Sequence, residues 1–389
     1  MPAPARPVLR RRGGGHRAQG FAVVAIVAAL ALTVTACGGK KDATLPGATP
    51  VTVTLTDGAC TPNPTSVPSG PVTFTVKNNG SAAVTEAELK QKGVIIGEKE
   101  NVTPGLSGTF SLRLAPGAYT VVCPDAKTSS SSFTVTGSAT TPDAAANAAA
   151  LKVATDSYRT YVVDEVNKLT TATTAFTDAV RAGDIPKAKE LYAPAREHYE
   201  SIEPVAESFG SLDPLIDARI DEVANTKTWS GFHRIERALW QDDSLAGTTQ
   251  YANQLDRDVA KLKSLVATET YQPAQLANGA TELLNEVGAS KITGEEDRYS
   301  HTDLWDIKAN VDGAQQAFEL LKPALTKTDP ALASTVAARF ADVQSALQPY
   351  RTADGWVDYQ TVTAAQRRAL SQKVDALAEP LSTVAAQVA

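Results

Sequence analysis

Methionine, cysteine and histidine are scarce in this chain of 389 residues, which contains one Met, three Cys and four His. The single Met is the first residue, so the mature chain offers no thioether ligand to a metal. No Glu directly follows any His, which excludes the HExxH motif of zinc peptidases. The formal net charge is −6, and without a basic surplus we expect no nucleic-acid binding.

The N-terminus has the features of an export signal. An arginine-rich segment precedes an apolar run from Phe21 to Leu32, which is short for a bilayer span of ~20 residues. The run leads to Val-Thr-Ala-Cys37, which is similar to the cleavage site of bacterial lipoproteins. We predict a signal peptide over 1–36, lipidation of Cys37, a tether over 37–50 and anchoring to the outer face of the bacterial cell membrane. An ordinary secretory signal with an incidental Cys is the alternative.

The N-terminal quarter of the mature chain has the pattern of β-strands. Val51, Val53 and Leu55 alternate with threonines, and this period of two recurs as far as Val135, broken by turns rich in Gly, Asn and Pro. Such a pattern predicts a β-sandwich over 51–137. Residues 138–150 are rich in Ala, Thr and Pro, which is typical of a linker.

From residue 151 onward the apolar period lengthens to that of amphipathic helices. Pro204 should kink one of these helices, because it cannot donate a hydrogen bond to the carbonyl of Glu200. We predict an all-α helical bundle over 151–389, so that the whole chain is a multidomain protein, β then α. One apolar stripe that supports it consists of Leu191, Ala195, His198, Ile202, Val205 and Phe209.

The segment Gly-Phe-His-Arg-Ile-Glu at 231–236 opens one of these helices. His233 and Glu236 are three residues apart and therefore project from one face of the helix. An imidazole and a carboxylate so placed can share a metal ion, as related pairs do in helical-bundle metal sites. A His–Glu pair joined only by a hydrogen bond is the alternative.

Acidic residues elsewhere in the helical region supply candidates for further ligands. Glu200 and Glu203 are spaced along one helix face, and Asp217 lies in the following helix. A polar segment begins at Lys291 and leads into a helix with Asp303, Asp306 and Asn310 on one face. For most acids of a chain the ordinary interpretation is a solvated surface.

These segments resemble the EfeO-type iron-uptake lipoproteins. The resemblance rests on Leu191–Pro204, on the GxHxxE motif at 231–236, which is similar to that of the imelysin-like, peptidase-named family, and on Lys291–Asn310. It implies a cupredoxin-like β-sandwich followed by an imelysin-like helical domain. It also implies that the chain captures iron, ferrous or ferric, for a membrane permease, together with a haem-peroxidase partner.

The same resemblance implies a set of metal ligands. His233 and Glu236 match the HxxE ligands of the family, and Glu200 and Asp217 are the best matches to its other acidic ligands. Glu203 is an alternative to them. Carboxylate oxygens with one imidazole suit iron, manganese or zinc better than copper(I), which prefers sulfur.

Cys60 and Cys123 lie in the β region and have two interpretations. Residues 51–137 contain neither His nor Met, so they cannot build a blue-copper centre. Export and the even count favour a disulfide. The family resemblance implies instead a secondary site for copper or iron, formed by the two cysteines with nearby acids such as Glu86 and Glu88. A disulfide's sulfurs are poor ligands, so the two interpretations exclude each other in one redox state.

Two other functions compete with iron capture. The imelysin name suggests a metallopeptidase, but no obvious general base is placed for a metal-bound water, and we expect no enzyme activity. A lipoprotein that binds polysaccharide without any metal is the third hypothesis, and for an acidic polysaccharide the negative net charge argues against it.

Overall fold

The computed structural model describes residues 47–137, 142–223 and 225–388. The predicted signal peptide, the lipidation site at Cys37 and most of the tether lie outside the described residues. In the described part of the chain, no helix combines the length and the apolar character needed to cross a bilayer.

The strands between Thr49 and Thr136 form two sheets that face each other across a shared core. One sheet has the strand order β2-β1-β4-β7 and the other β3-β9-β8-β5-β6. The pairs β1–β4 and β3–β9 are parallel, and the remaining neighbours are antiparallel. The strands are β1 Thr49–Leu55, β2 Cys60–Asn63, β3 Ser66–Pro68, β4 Gly70–Asn78, β5 Ala87–Gln91, β6 Val94–Lys99, β7 Ser107–Leu114, β8 Gly117–Val122 and β9 Ser130–Thr136.

The core of this sandwich follows from the alternating sequence pattern. Val51, Val53 and Leu55 of β1 are all buried, because every second side chain of a strand points to the same face. Phe74 of β4 stacks on Phe110 with ring centroids 4.9 Å apart, and a third aromatic ring, that of Phe133, packs edge-on against Phe74. The predicted β-sandwich is therefore present in the structure.

A disulfide joins the two sheets. Cys60 begins β2 in the first sheet, and Cys123 directly follows β8 in the second. Both residues are fully buried, and their Cα atoms are 6.0 Å apart. The structure therefore contains the disulfide and not a pair of thiolate ligands.

Removing this cross-link should lower the stability of the chain. The disulfide closes a loop with a sequence separation of 63 residues, for which the chain-entropy model gives a stabilisation of about 4 kcal/mol. We expect Cys60→Ala combined with Cys123→Ala to lower the free energy of unfolding in urea by about that amount. An unchanged free energy of unfolding in the double variant would contradict a stabilising role of the disulfide.

The helical region forms the second part of the chain. Its first helix begins at Pro142, so that the C-terminal part of the segment 138–150, for which the sequence predicts a linker, is helical. A short hairpin of β10 Arg351–Thr352 and β11 Gly355–Trp356 is a strand pair within the otherwise helical region. The helices are α1 Pro142–Ala182, α2 Ile185–Glu200, α3 Leu212–Asp217, α4 Phe232–Trp240, α5 Thr249–Val266, α6 Pro273–Ala289, α7 Asp303–Thr328, α8 Pro330–Leu347, α9 Ala364–Leu381 and α10 Ala385–Val388.

The regular helix is interrupted after α2, near the predicted kink. α2 ends at Glu200, and a separate 3₁₀ segment covers Glu203–Phe209, so that Pro204 stands in its first turn. α6 crosses this interruption at Gly279, where a Cβ would lie only 1.8 Å from the carbonyl oxygen of Pro204. Glycine is therefore required for α6 to pack against this part of the chain, which carries Glu200 and Glu203.

β6 of the sandwich packs against α6 of the bundle. Asn278 donates a hydrogen bond of 3.2 Å to the carbonyl of Ile96, and Lys99 forms an ion pair with Glu282. These contacts place the carboxylates of β5 and β6 near the helical carboxylates described next.

Candidate metal centre

α2 carries three polar side chains on one buried face. Tyr192, Arg196 and Glu200 recur at intervals of four residues and therefore align along the helix. All three are fully buried. Asp184 caps the start of the helix, because its side chain accepts a hydrogen bond from the backbone N–H of Lys187.

α4 brings His233 to the end of α3, and Gly231 makes this approach geometrically feasible. Gly231 has a φ of 86°, and a Cβ at this position would lie 2.2 Å from the carbonyl oxygen of Ile216. Only glycine allows both the backbone angle and the close contact. The GxHxxE motif thus has a structural explanation for its first residue: it sets His233 beside Asp217, the last residue of α3.

The two ring nitrogens of His233 face different groups. Nδ1 lies 3.0 Å from Oε2 of Glu236 and 3.3 Å from the hydroxyl of Tyr192. Nε2 lies 3.7 Å from Oδ1 of Asp217 and 3.5 Å from Oε1 of Glu296. Nε2 has no hydrogen-bond partner among the described residues, although the side chain is only 2% exposed. A buried, unpartnered ring nitrogen facing two carboxylates suits a cation between them.

Glu236 is held on the far side of the imidazole. Its Oε1 accepts hydrogen bonds from the backbone of Tyr299 at 2.9 Å and of Ser300 at 2.8 Å, and from the Ser300 hydroxyl at 3.0 Å. Both carboxylate oxygens of Glu236 are therefore engaged, one by this loop and one by His233. A carboxylate on the second ring nitrogen fixes the orientation of metal-binding histidines in many proteins.

The donor atoms of Asp217, His233 and Glu296 form a candidate cation site. All three lie within 4.8 Å of one another. The imidazole nitrogen lies 3.7 and 3.5 Å from the two carboxylate oxygens, separations that suit ligands bound at ~2 Å to one ion. One imidazole and two carboxylates are hard or intermediate ligands, which suit iron, manganese or zinc.

Arg196 is a buried cation beside this site. Its guanidinium pairs with Asp217 and Glu200, and also lies 2.9 Å from Asp306 and 3.4 Å from Glu296. The side chain is 0% exposed. Burying this many carboxylates without a cation would be very unfavourable, so Arg196 holds them together when no metal is bound.

Lys291 is a second buried cation. Its ammonium lies 3.0 Å from Oε2 of Glu200 and donates to both oxygens of Glu203, at 2.7 and 2.8 Å. Asn310 donates to the same two carboxylates. Although burial raises the pKa of Glu200, Lys291 and Arg196 outweigh that effect and lower it to about 2.

The structure brings together most of the residues that the sequence predicts, in two groups. His233 and Asp217 share the candidate cation site, with Glu236 behind the imidazole. Glu200 and Glu203 instead contact Lys291, and Glu200 also lies within reach of Glu296 and Asp306.

The sequence does not identify Glu296, Lys291 and Arg196 as members of the centre. Glu296 lies in the polar segment that begins at Lys291, and the sequence marks neither residue as a candidate ligand. Arg196 lies four residues before Glu200, in the segment that carries the family resemblance. That spacing on one helix face was the available signal.

The pKa values of the candidate ligands indicate that a metal ion would compete with protons for them. Burial and Arg196 lower the pKa of His233, but Glu236, Glu296 and Asp217 outweigh them and raise it to about 10. Burial raises the pKa of Asp217 to about 6, and Arg196 opposes only part of that effect. At neutral pH the imidazole therefore carries a proton that a metal ion must displace.

Metal affinity should consequently rise with pH. The ligands bind a metal only after losing their protons. Because His233 must lose one proton, we expect the affinity for Mn²⁺ to increase about tenfold per pH unit between pH 6.5 and 8. Below about pH 6, where Asp217 also takes up a proton, the dependence should steepen. Calorimetry in two buffers of different ionisation enthalpy counts the released protons. Binding without proton release would contradict this assignment.

A cavity of about 400 Å³ leads to the site between the sandwich and the bundle. Glu86 and Glu98 line it from the sandwich, and Asp217, Glu296 and Arg219 line it from the bundle. The predominance of carboxylates in its wall favours the entry of cations over anions.

Comparison with known proteins agrees with this architecture. The family model for imelysin matches residues 154–384, and the model for the cupredoxin-like domain matches residues 23–135. The iron uptake system components EfeO of Escherichia coli strain K12 and of Shigella flexneri are each 44% identical over 337 residues, which is 85% of this chain and 89% of the relative.

A solved structure resembles the fold alone. It is the crystal structure of a protein described as an iron-regulated protein A precursor from Parabacteroides distasonis, with a TM-score of 0.50 and 16% sequence identity. The match covers 65% of this chain and 97% of that one. At 44% identity over most of the chain, by contrast, the EfeO proteins show kinship along both domains. The chain belongs to the family of EfeO-type iron uptake components, in which a cupredoxin-like domain precedes an imelysin domain.

Proposed function

We propose that this chain is an extracytoplasmic iron-binding component of a bacterial iron uptake system and that iron is held between His233, Asp217 and Glu296. One observation carries the proposal: Nε2 of His233 is buried, lacks a hydrogen-bond partner among the described residues, and faces the two carboxylates at 3.7 and 3.5 Å. The iron is the cargo of the protein, and its relatives are named as components of iron uptake systems.

The contacts around the imidazole suggest distinct roles for the acids predicted from sequence. Glu236 orients the ring through Nδ1, which favours a positioning role over the ligand role inferred from the HxxE spacing. Glu200 lies in a cluster with Glu296 and Asp306, within 4.8 Å of both, but Arg196 and Lys291 each engage one of its oxygens. Glu203 is less suited to coordinate the iron, because Lys291 donates hydrogen bonds to both of its carboxylate oxygens.

A secondary cation site in the sandwich would consist of carboxylates alone. The disulfide removes Cys60 and Cys123 as thiolate ligands. Glu86, Glu88 and Glu98 still bring one oxygen each to within 4.8 Å of one another. Burial and the neighbouring acids raise the pKa of Glu86 to about 8, as expected where carboxylates lie close together without enough cations.

The remaining parts of the proposal concern location and partners. Lipidation at Cys37 would anchor the chain to the outer face of the membrane, close to a permease that accepts the iron. A haem-peroxidase component would act beside it. The lipidation rests on the cleavage-site pattern at Cys37, and the two partners are inferred from the family. The chain needs no catalytic step of its own to capture and release an ion.

An anaerobic calorimetric titration of the mature chain with Fe²⁺, beside a casein-degradation assay, tests this function. We expect saturable iron binding by the wild type and weak binding by Asp217→Asn combined with Glu296→Gln. Glu319→Gln combined with Asp342→Asn removes two surface acids of the bundle and is the matched control. Equal iron affinity in all three proteins would refute the proposed centre, and metal-dependent casein cleavage would favour the peptidase instead.

A further inference from the structure

The carboxylates around Lys291 are arranged like those around a metal ion. Its ammonium is surrounded by Glu200 at 3.0 Å, Glu203 at 2.7 Å and Glu296 at 3.9 Å, and the side chain is 1% exposed. These residues come from three separate segments, namely α2, the 3₁₀ segment after it and the loop before α7. Several carboxylates converging from different segments of a helical bundle on one buried cation is also the geometry of metal sites in such bundles.

Glu296 connects this cation to the candidate iron position. Its Oε1 faces Nε2 of His233 at 3.5 Å, while its Oε2 pairs with Arg219 and lies 3.9 Å from the ammonium of Lys291. A carboxylate that shares its two oxygens between neighbouring cations is the bridging ligand of two-metal sites, where the ions stand ~3.5–4 Å apart. Glu200 has a similar position, with one oxygen on Lys291 and the other on Arg196.

We propose that Lys291 takes the place of a second metal ion and thereby limits this centre to a single iron ion. The inference rests on the proposed function, since it presupposes that the His233 side of the centre binds iron. A covalently attached ammonium provides one positive charge, satisfies Glu200 and Glu203, and cannot diffuse away. It therefore leaves fewer free carboxylate oxygens than a second divalent ion needs.

This arrangement has a consequence for the chemistry of the cargo. Two metal ions that share bridging carboxylates can act together on one bound molecule, whereas one ion beside a fixed ammonium cannot. A centre of this kind loads and releases its ion singly. Lys291 is thus a specificity-determining residue for the number of ions, and it need not touch the iron.

Replacing Lys291 with alanine tests the inference, with Mn²⁺ as a probe that is stable in air and visible by electron paramagnetic resonance. We expect Lys291→Ala to bind one more Mn²⁺ per chain than the wild type. The two ions, ~3.5–4 Å apart, should couple magnetically and lose the six-line spectrum of isolated Mn²⁺. Lys322→Ala removes a surface lysine paired with Glu319. This control should bind as many Mn²⁺ ions as the wild type and give the same electron paramagnetic resonance spectrum.

The outcomes separate the two proposals. A wild type that binds Mn²⁺ and Fe²⁺ in the His233 centre, with no extra ion in Lys291→Ala, would overturn the role of Lys291 and leave the iron centre intact. An extra ion without magnetic coupling would overturn it as well, because that ion would lie elsewhere. A wild type whose iron binding does not depend on Asp217 and Glu296 would refute the proposed function itself.

Lys291→Ala leaves two buried carboxylates uncompensated and so lowers stability in the absence of metal. If the variant is unfolded in chelator, its circular dichroism is followed during a Mn²⁺ titration. The proposal is supported if the helical signal recovers once the variant has bound one more equivalent of Mn²⁺ than the wild type binds. A variant that stays unfolded with saturating Mn²⁺ would contradict it, because a second ion should replace the missing charge.

Discussion

Replacing His233 with alanine is expected to lower the iron affinity more than ~100-fold. Substitution of residues behind a metal ligand typically costs 10–100-fold, and His233 supplies the one imidazole of the candidate centre. Its Nε2 lies between the oxygens of Asp217 and Glu296 and has no competing hydrogen bond among the described residues. Anaerobic calorimetry with Fe²⁺ measures the change.

Two variants serve as controls for this result. His198→Ala removes a half-buried histidine of α2 that pairs with Glu165 at 2.8 Å, away from the candidate ligands, and should keep the wild-type affinity. Glu236→Gln keeps a hydrogen-bond acceptor near Nδ1. Its iron affinity should lie between those of His198→Ala and His233→Ala, about 10–100-fold below the wild type. An affinity of Glu236→Gln as low as that of His233→Ala would mean that Glu236 is itself a ligand, as the HxxE spacing predicts.

Replacing Arg196 with methionine should lower the free energy of unfolding by about 3–5 kcal/mol, the usual cost of breaking a buried ion pair. Arg196 is fully buried and contacts Glu200, Asp217 and Asp306. Without the guanidinium these carboxylates either stay charged in a poorly solvating site or take up protons. Urea unfolding in the presence of chelator measures the loss.

A surface arginine provides the matched comparison for this prediction. Arg339 pairs with Asp342 at 3.1 Å, and both side chains are more than 40% exposed. Arg339→Met should change the free energy of unfolding by less than about 1 kcal/mol. Added Mn²⁺ should restore part of the stability of Arg196→Met, since the ion replaces the missing charge at the same carboxylates. Equal stabilities of the two variants would contradict the role assigned to Arg196.

The fold was accessible from the sequence because both of its periods are local. Alternation around Val51–Leu55 predicts a buried strand face, and the stripe through Leu191 and Ala195 predicts a helix; the structure contains both elements. The boundary between them was harder to locate. Residues 142–150 are rich in alanine, which suits a linker as well as it suits the first turns of α1.

The candidate site was only partly accessible, since its members meet through tertiary packing. The GxHxxE motif marks His233, but which nitrogen faces which acid depends on the loop at Tyr299 and Ser300 that holds Glu236. From sequence alone, a lysine or an arginine is expected to be exposed on the surface. That Arg196 and Lys291 are instead buried among carboxylates follows from the interruption after α2, where α6 and α7 close over them.

Diffraction data collected at the iron absorption edge, from crystals of the iron-loaded chain, test the central claim most directly. The account predicts an anomalous peak bonded to Nε2 of His233, with Asp217 and Glu296 as the nearest carboxylates. A peak on the Nδ1 side beside Glu236, or iron found only among Glu86, Glu88 and Glu98, would contradict it.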